Sequence, residues 1–353
     1  MIGIVGRASR FSAALGCVFA GVLAGSAVLW AGPASAADSI TLQGAGATFP
    51  APLYQRWFSD YNKLHPEVQV NYQALGSGAG IKQFMGGLVD FGASDAAMTD
   101  EDIAQVKTGV VLLPMTAGSV VLAYNLPGLS GDLKLSREAY TGMFLGTIKS
   151  WKDPKIAASN PGLQLPDTPI TVVTRSDGSG TTFVFTNHLS AISEAWKSGP
   201  GAGTTINWPA GVSGKGNAGV TALIKQTPGS IGYVEYGYAK QTNMPMVTLE
   251  NKSGKYIKAD LASGQAALAG VEMPPNLRAW VPDPPGADAY PIVTYTWLLC
   301  SKQYSKPEVS KTLKAVIDYG LTEGQKVSNE LGYIPLPAEV VTKVTAAAAQ
   351  IQP

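Results

Sequence analysis

Cysteine, histidine and concentrated charge are all scarce in this chain, and each scarcity removes a class of function. Two cysteines occur in 353 residues. Cys17 lies in an apolar N-terminal run, so Cys300 has no partner downstream and no disulfide framework holds the body of the chain. The flanking Thr296-Trp297-Leu298-Leu299 marks Cys300 as a buried strand thiol. Two histidines, His65 and His188, provide no ligand cluster with carboxylates. Neither a metal nor a cofactor is therefore expected. Basic and acidic residues nearly balance at a formal charge of +1, and no basic run stands out. A nucleic-acid or membrane-surface partner is disfavoured on that ground. Repeats, heptads and low-complexity tracts are absent as well.

The N-terminus reads as a secretory signal over 1–36. Arg7 and Arg10 precede an apolar stretch from Phe11 to Trp30, and Ala34-Ser35-Ala36 supplies the small residues a signal peptidase needs. The alternative is a retained anchor, since the stretch is long for a signal core. Ala14-Leu15-Gly16-Cys17 faintly resembles a lipoprotein box, but the apolar run continues past it, which favours soluble export. Loss of Arg7 and Arg10 leaves 24 basic against 25 acidic residues, a formal charge of −1. Any anion site must then work through local dipoles and a few charges.

Beyond the leader, short apolar runs alternate with amphipathic stretches, the pattern of an α/β protein. Strands are expected at Ile40–Gln43, Val68–Leu75, Phe91–Ala93, Val110–Pro114, Ser119–Tyr124, Ile170–Val173, Ile231–Tyr236 and Ile292–Leu299. Helices are expected at Leu53–Leu64, Ile81–Met85, from Phe183 onward, and at Pro307–Tyr319, Thr322–Leu331 and Ala338–Ile351. Two places look like crossings between lobes: the Thr116-Ala117-Gly118 break, and the loop Pro282–Gly286 before the chain re-enters a strand. The expected division is lobe 1 from 37–117 with 291–353, and lobe 2 from 118–290.

Four turns share one design. Gly44 to Pro50 follows the first strand, with Thr48 placed to cap and Pro50 to start a helix. Gly76 to Gly80 follows the second. Phe91 to Asp95 ends the third and meets a helix at Thr99. The fourth, Arg175 to Thr182, lies in the second lobe. Each sets a hydroxyl or carboxylate beside free backbone amides at a helix start, a natural anion site. Singly, such turns are ordinary punctuation; Ser77 or Asp95 alone is a plain cap, and Asp177 has the role of holding Arg175. Together they describe a pocket for a small tetrahedral oxyanion. Arg175, Thr48, Ser77, Ser179 and Thr181 donate, with the amides of Phe49, Gly180 and Thr181. Asp95 only accepts, and so suits an anion that carries its own proton. Hydrogen phosphate has that proton and sulfate does not.

Gly44 to Pro52 (GAGATFPAP), Asn71 to Gly80 (NYQALGSGAG), Asp90 to Asp95 (DFGASD), Arg175 to Thr186 (RSDGSGTTFVFT) and Gly229 to Gln241 (GSIGYVEYGYAKQ) resemble the periplasmic phosphate-binding component of the high-affinity phosphate ABC transporter, the PstS family. The likeness runs from about Thr41 to Leu336-Pro337. It implies a two-lobed periplasmic-binding-protein fold of the second topology that closes on hydrogen phosphate. Its partners would be a membrane permease and a cytoplasmic ATPase, with the protein itself a periplasmic monomer. Carried over residue by residue, the phosphate contacts fall on Thr48, Phe49, Ser77, Asp95, Arg175, Asp177, Ser179, Gly180 and Thr181. One local departure is Gly78-Ala79, where members often carry a second Ser.

Rival readings are weaker. Ser77 and Ser179 lack the G-x-S-x-G setting of a nucleophile. His188, lone on a helix, reads as a cap or surface residue rather than a base. Gly214-Lys215-Gly216 lacks the spacing of a P-loop and reads as shaping the cleft mouth. A phosphate-ester hydrolase of the same fold, a binder of sulfate, molybdate or arsenate, and a purely structural surface protein are the alternatives.

Overall fold

The computed structural model describes residues 39–353; the expected leader and Cys17 lie outside them. Among the described residues eleven strands are formed: β1 (Ile40–Gly46), β2 (Val68–Ala74), β3 (Phe91–Ser94), β4 (Val110–Asn125), β5 (Lys134–Leu135), β6 (Thr171–Arg175), β7 (Val212–Gly214), β8 (Ser230–Glu235), β9 (Thr248–Glu250), β10 (Tyr256–Ile257) and β11 (Val293–Ser301). Eight of them make one mixed sheet in the order β2-β1-β3-β11-β4-β8-β6-β7, and β10-β9-β5 form a small second sheet. The α/β class read from the sequence is the one observed.

Strand directions locate the site. β1 runs parallel to β2 and β3, while β11 is antiparallel to both β3 and β4. β8 is antiparallel to β4, and β6 is parallel to β8 and β7. The two parallel groups therefore point at each other along β4. Ser94, at the carboxyl end of β3, pairs with Trp297, which pairs with Pro114. Glu235, at the carboxyl end of β8, pairs with Val120. Both sets of carboxyl ends thus open onto the middle of β4, where ligands in open α/β sheets bind.

The expected break at Thr116-Ala117-Gly118 is not a break. β4 is a single strand of 16 residues, paired with β11 over its first part and with β8 over its last. A register shift opposite Met115, between Thr296 and Trp297, absorbs the bend. Gly118 is required there, because a Cβ would stand 2.8 Å from the Phe49 ring.

Helix 51–64 shows why these residues fold as they do. Leu53, Tyr54, Trp57, Phe58 and Tyr61 recur at helical spacing and are all buried. Each such side chain contributes about 1.5–3 kcal/mol on leaving water. Pro307–Leu321 packs Val309, Leu313, Val316, Ile317 and Leu321 in the same way. The expected helix Thr322–Leu331 is instead a short helix, Glu323–Lys326, and a 3-10 turn, Asn329–Leu331. Trp57 Nε1 takes the Gly324 carbonyl at 2.7 Å, and Ser328 N–H turns to Gln325 instead. The last helix ends at Ala348, short of Ile351.

Candidate functional site

Each glycine turn delivers its side chains from the carboxyl end of a strand. Thr48 and Phe49 follow β1, Ser77 opens the helix Ser77–Met85 after β2, and Asp95 follows β3. Arg175 is the last residue of β6, and Ser179 is the N-cap of the helix Gly180–Ile192, accepting from Thr182 N–H at 3.0 Å. Thr48, Ser77, Asp95, Arg175, Ser179 and Thr181 are all buried.

Contacts join the turns into one cluster. Ser77 Oγ accepts the Asp95 N–H at 3.2 Å. Gly180 lies against both, since a Cβ there would be 2.5 Å from Ser77 Oγ and 2.6 Å from Asp95 Oδ2. Arg175 Nη1 donates to Thr181 Oγ1 at 3.3 Å. Asn217 Nδ2 links Thr181 Oγ1 at 3.2 Å to Thr48 Oγ1 at 2.9 Å. Thr48 and Phe49 are fixed from behind: Tyr238 OH donates to the Thr48 carbonyl at 2.6 Å and Tyr333 OH to that of Phe49 at 2.7 Å. Because a trans peptide sets C=O and N–H on opposite sides, the first bond aims the Phe49 amide away from Tyr238.

Several roles differ from expectation. Thr48 does not cap the helix it precedes; Pro50 occupies that position without a side-chain bond, and Thr48 Oγ1 instead accepts from Asn217. The Phe49 ring packs in the core beside Tyr333, so only its backbone is available to a ligand. His188 is neither cap nor surface residue. It is fully buried, with Nδ1 on the Pro282 carbonyl at 2.6 Å and Nε2 on Tyr140 OH at 2.8 Å. Burial lowers its pKa to about 4, so it is neutral and has no nitrogen free to act as a base.

The charges are arranged with equal economy. Asp177 grips Arg175 through Oδ1–Nε at 2.8 Å and Oδ2–Nη2 at 2.5 Å, the fork geometry guanidinium favours. Burial raises the Asp177 pKa, but bonds and charge from Arg175 and the Gly216 N–H outweigh it and leave it below its ordinary value. Asp95 has no such grip. Burial pushes it up to about 7, against the Thr296 hydroxyl at 2.8 Å, the charge of Arg175 and the Ser77 hydroxyl. A second buried carboxyl, Glu235, is raised well above its ordinary value by burial, despite accepting the Gly237 N–H at 2.7 Å.

Asn217, Tyr238, Thr296 and Tyr333 belong to this cluster and were not foreseen. Asn217 had a legible signal. Val212-Ser213-Gly214-Lys215-Gly216-Asn217 is a fifth strand, glycine turn and helix start, and Gly216 N–H bonds Asp177 at 2.9 Å. Far from merely shaping a cleft mouth, Gly214 to Asn217 reaches Thr48 itself. Among the described residues, no three His, Cys, Asp or Glu side chains gather as metal ligands, and no helix is long and apolar enough to cross a membrane.

Residues 31–323 match the model of a PBP superfamily domain. The chain is 41% identical over 323 residues to the phosphate-binding protein PstS of Pasteurella multocida, covering 91% of this chain and 93% of that one. It is also 41% identical to the phosphate-binding protein PstS of Haemophilus influenzae, covering 88% and 93%. Among solved structures, PfluDING, a high-affinity periplasmic phosphate-binding protein bound with phosphate, matches with a TM-score of 0.72. Its identity to this chain is 21%, and the match covers 87% of this chain and 93% of that one, a likeness of fold.

Proposed function

The chain belongs to the PBP superfamily and, within it, to the PstS phosphate-binding family; on that premise we propose that it captures inorganic phosphate between two lobes and delivers it to an ABC permease. One lobe comprises 37–117 with 291–353, and the other 118–290. The strand order supports this division, since β1, β2, β3 and β11 lie on one side of the β4 bend and β6, β7 and β8 on the other.

The observation that carries the reading is the cluster around Gly180. Buried there are the Arg175 guanidinium, the hydroxyls of Thr48, Ser77, Ser179 and Thr181, and the Asp95 carboxyl, which is not committed to an ion pair. Phosphate docks on Thr48, the Phe49 amide, Ser77 and Asp95. Arg175, Ser179, Gly180 and Thr181 close over it, with Asp177 holding Arg175 rigid. Several charge-assisted hydrogen bonds in a water-free pocket supply about −8 kcal/mol or better, a micromolar or tighter complex. Asp95 accepts the ligand's proton, which makes hydrogen phosphate the preferred species. Reopening of the cleft releases the ion to a permease driven by a cytoplasmic ATPase.

The protein acts in the periplasm as a monomer, after removal of 1–36, and catalyses nothing. In support, His188 serves neither Ser77 nor Ser179 as a base, because both its nitrogens are engaged elsewhere. Isothermal titration of the ligand-stripped protein with phosphate, and separately with sulfate, tests the reading. One-to-one phosphate binding without sulfate heat at pH 8, where Asp95 is mostly ionised, is expected; silence toward phosphate would overturn it.

A further inference from the structure

Asn217 is completely buried at the start of the helix Gly216–Gln226. Its Oδ1 accepts the Glu235 N–H at the end of β8, at 2.9 Å. That bond fixes which way the amide lies, and so Nδ2 is the edge that faces the two threonine hydroxyls. Nδ2 donates to Thr48 Oγ1 at 2.9 Å and to Thr181 Oγ1 at 3.2 Å. Thr48 Oγ1 receives a second donor, the Asn217 backbone N–H, at 3.2 Å. Thr181 Oγ1 also receives a second, Arg175 Nη1, at 3.3 Å.

A hydroxyl has two lone pairs and one hydrogen. Donors occupy both lone pairs of Thr48 and both lone pairs of Thr181. Each oxygen then has only its own hydrogen to offer. We propose that Asn217 is a positioning residue that locks Thr48 and Thr181 as obligate hydrogen-bond donors, fixing the polarity of the site for an anion. A free hydroxyl presents either a donor or an acceptor; these two present a donor alone. Because Thr48 follows β1 while Asn217 follows β7, the lock on Thr48 exists only when the two glycine turns meet. The inference rests on the phosphate-binding reading above.

A double-mutant cycle tests it by titration with inorganic phosphate. Asn217→Ala is uncharged and removes the donating amide. It is expected to weaken phosphate binding roughly ten- to a hundredfold, the scale of one or two charge-assisted bonds. In a Thr48→Val, Thr181→Val background the same change should cost no more than about threefold, because no hydroxyl remains to orient. Equal losses in the two backgrounds would mean a merely structural Asn217 and would overturn the inference. A second measurement needs no variant. In phosphate-loaded wild type, hydroxyl protons of both threonines should show NMR correlations to phosphorus, and their absence would overturn the inference too. A wild type that does not bind phosphate overturns the functional reading along with the lock; wild-type binding with equal losses overturns the lock alone.

Discussion

The N–H of Gly78 donates to the carbonyl oxygen of Gly178 at 2.9 Å, joining two glycine turns that stand 100 residues apart in sequence. The approach is close enough that a Cβ on Gly78 would lie 3.2 Å from the Gly178 Cα. Gly76, two residues earlier in the same turn, has a φ of +102° and would drive a Cβ to 2.3 Å from Asp177 Oδ2. Gly78→Val should hold the turns apart and weaken phosphate binding roughly tenfold, a cost of about 1.4 kcal/mol. Unfolding temperature should stay within a few degrees of wild type, as differential scanning calorimetry will read.

Gly180→Ala is a sharper version of the same test. Its Cβ would collide with Ser77 Oγ, which accepts the Asp95 N–H, and with Oδ2 of Asp95, whose other oxygen Oδ1 is held by the Thr296 hydroxyl. Titration should find phosphate binding weakened by at least about a hundredfold, within the range for overpacking of 1–3 kcal/mol or more. Wild-type affinity in this variant would show that Gly180 does not touch the ligand.

Arg175→Ala leaves Asp177 part-buried and without its ion-pair partner, while the Gly216 N–H stays on its Oδ1. Truncating one member of a buried charge pair costs about 2–5 kcal/mol. Phosphate affinity should fall at least thirtyfold. Micromolar binding that survives the change refutes the proposed site.

Sulfate should be refused only while Asp95 is ionised. Its carboxyl is raised to about 7, so a growing fraction carries a proton below that pH and has a hydrogen to donate. Sulfate binding is expected to strengthen by up to about tenfold per pH unit as pH falls toward about 7, and to level off below it. Titrations at pH 8 and pH 5.5 measure it, and Asp95→Asn should flatten the dependence while admitting sulfate at both pH values.

Stability of the ligand-free protein should respond to acid through two groups of opposite sign. Asp95 is raised from 3.8 to about 7, so its contribution is complete below pH 4 and is lost as pH rises through 7. His188 is lowered from 6.5 to about 4, so its contribution is complete above pH 6.5 and is lost as pH falls through 4. The contribution of His188 is worth up to about 3 kcal/mol. His188→Gln should therefore gain stability relative to wild type as pH falls from 6 to 4, as denaturant melts will read. An unchanged acid limb would place that loss elsewhere.

Much of this was legible in the chain because strand, glycine turn and helix start leave strong local signals. Thr48, Ser77, Asp95 and Arg175 each stand at such a turn, and the structure gathers them. The continuity of β4 was hidden because Thr116-Ala117-Gly118 has the composition of a break; it is held extended by β11, a partner distant in sequence. Tyr238, Thr296 and Tyr333 reach the site across the fold from segments without a turn of that design, and nothing local marks a tyrosine whose hydroxyl will hold a distant carbonyl. The helix expected at Thr322–Leu331 failed for a similar reason, because Trp57 claims a carbonyl that the helix needed.

The placement of β11 bears on how the molecule is made. It is the last strand in the sequence, yet it lies in the interior of the eight-stranded sheet, between β3 and β4. A nascent chain that ends before Val293 has β3 and the first part of β4 with open, apolar edges facing each other. Such edges invite pairing with other chains. Closure of the sheet must wait for contacts of long sequence separation, which form slowly. The two groups of turns are thus brought into register by nine residues synthesised after every other strand of the sheet.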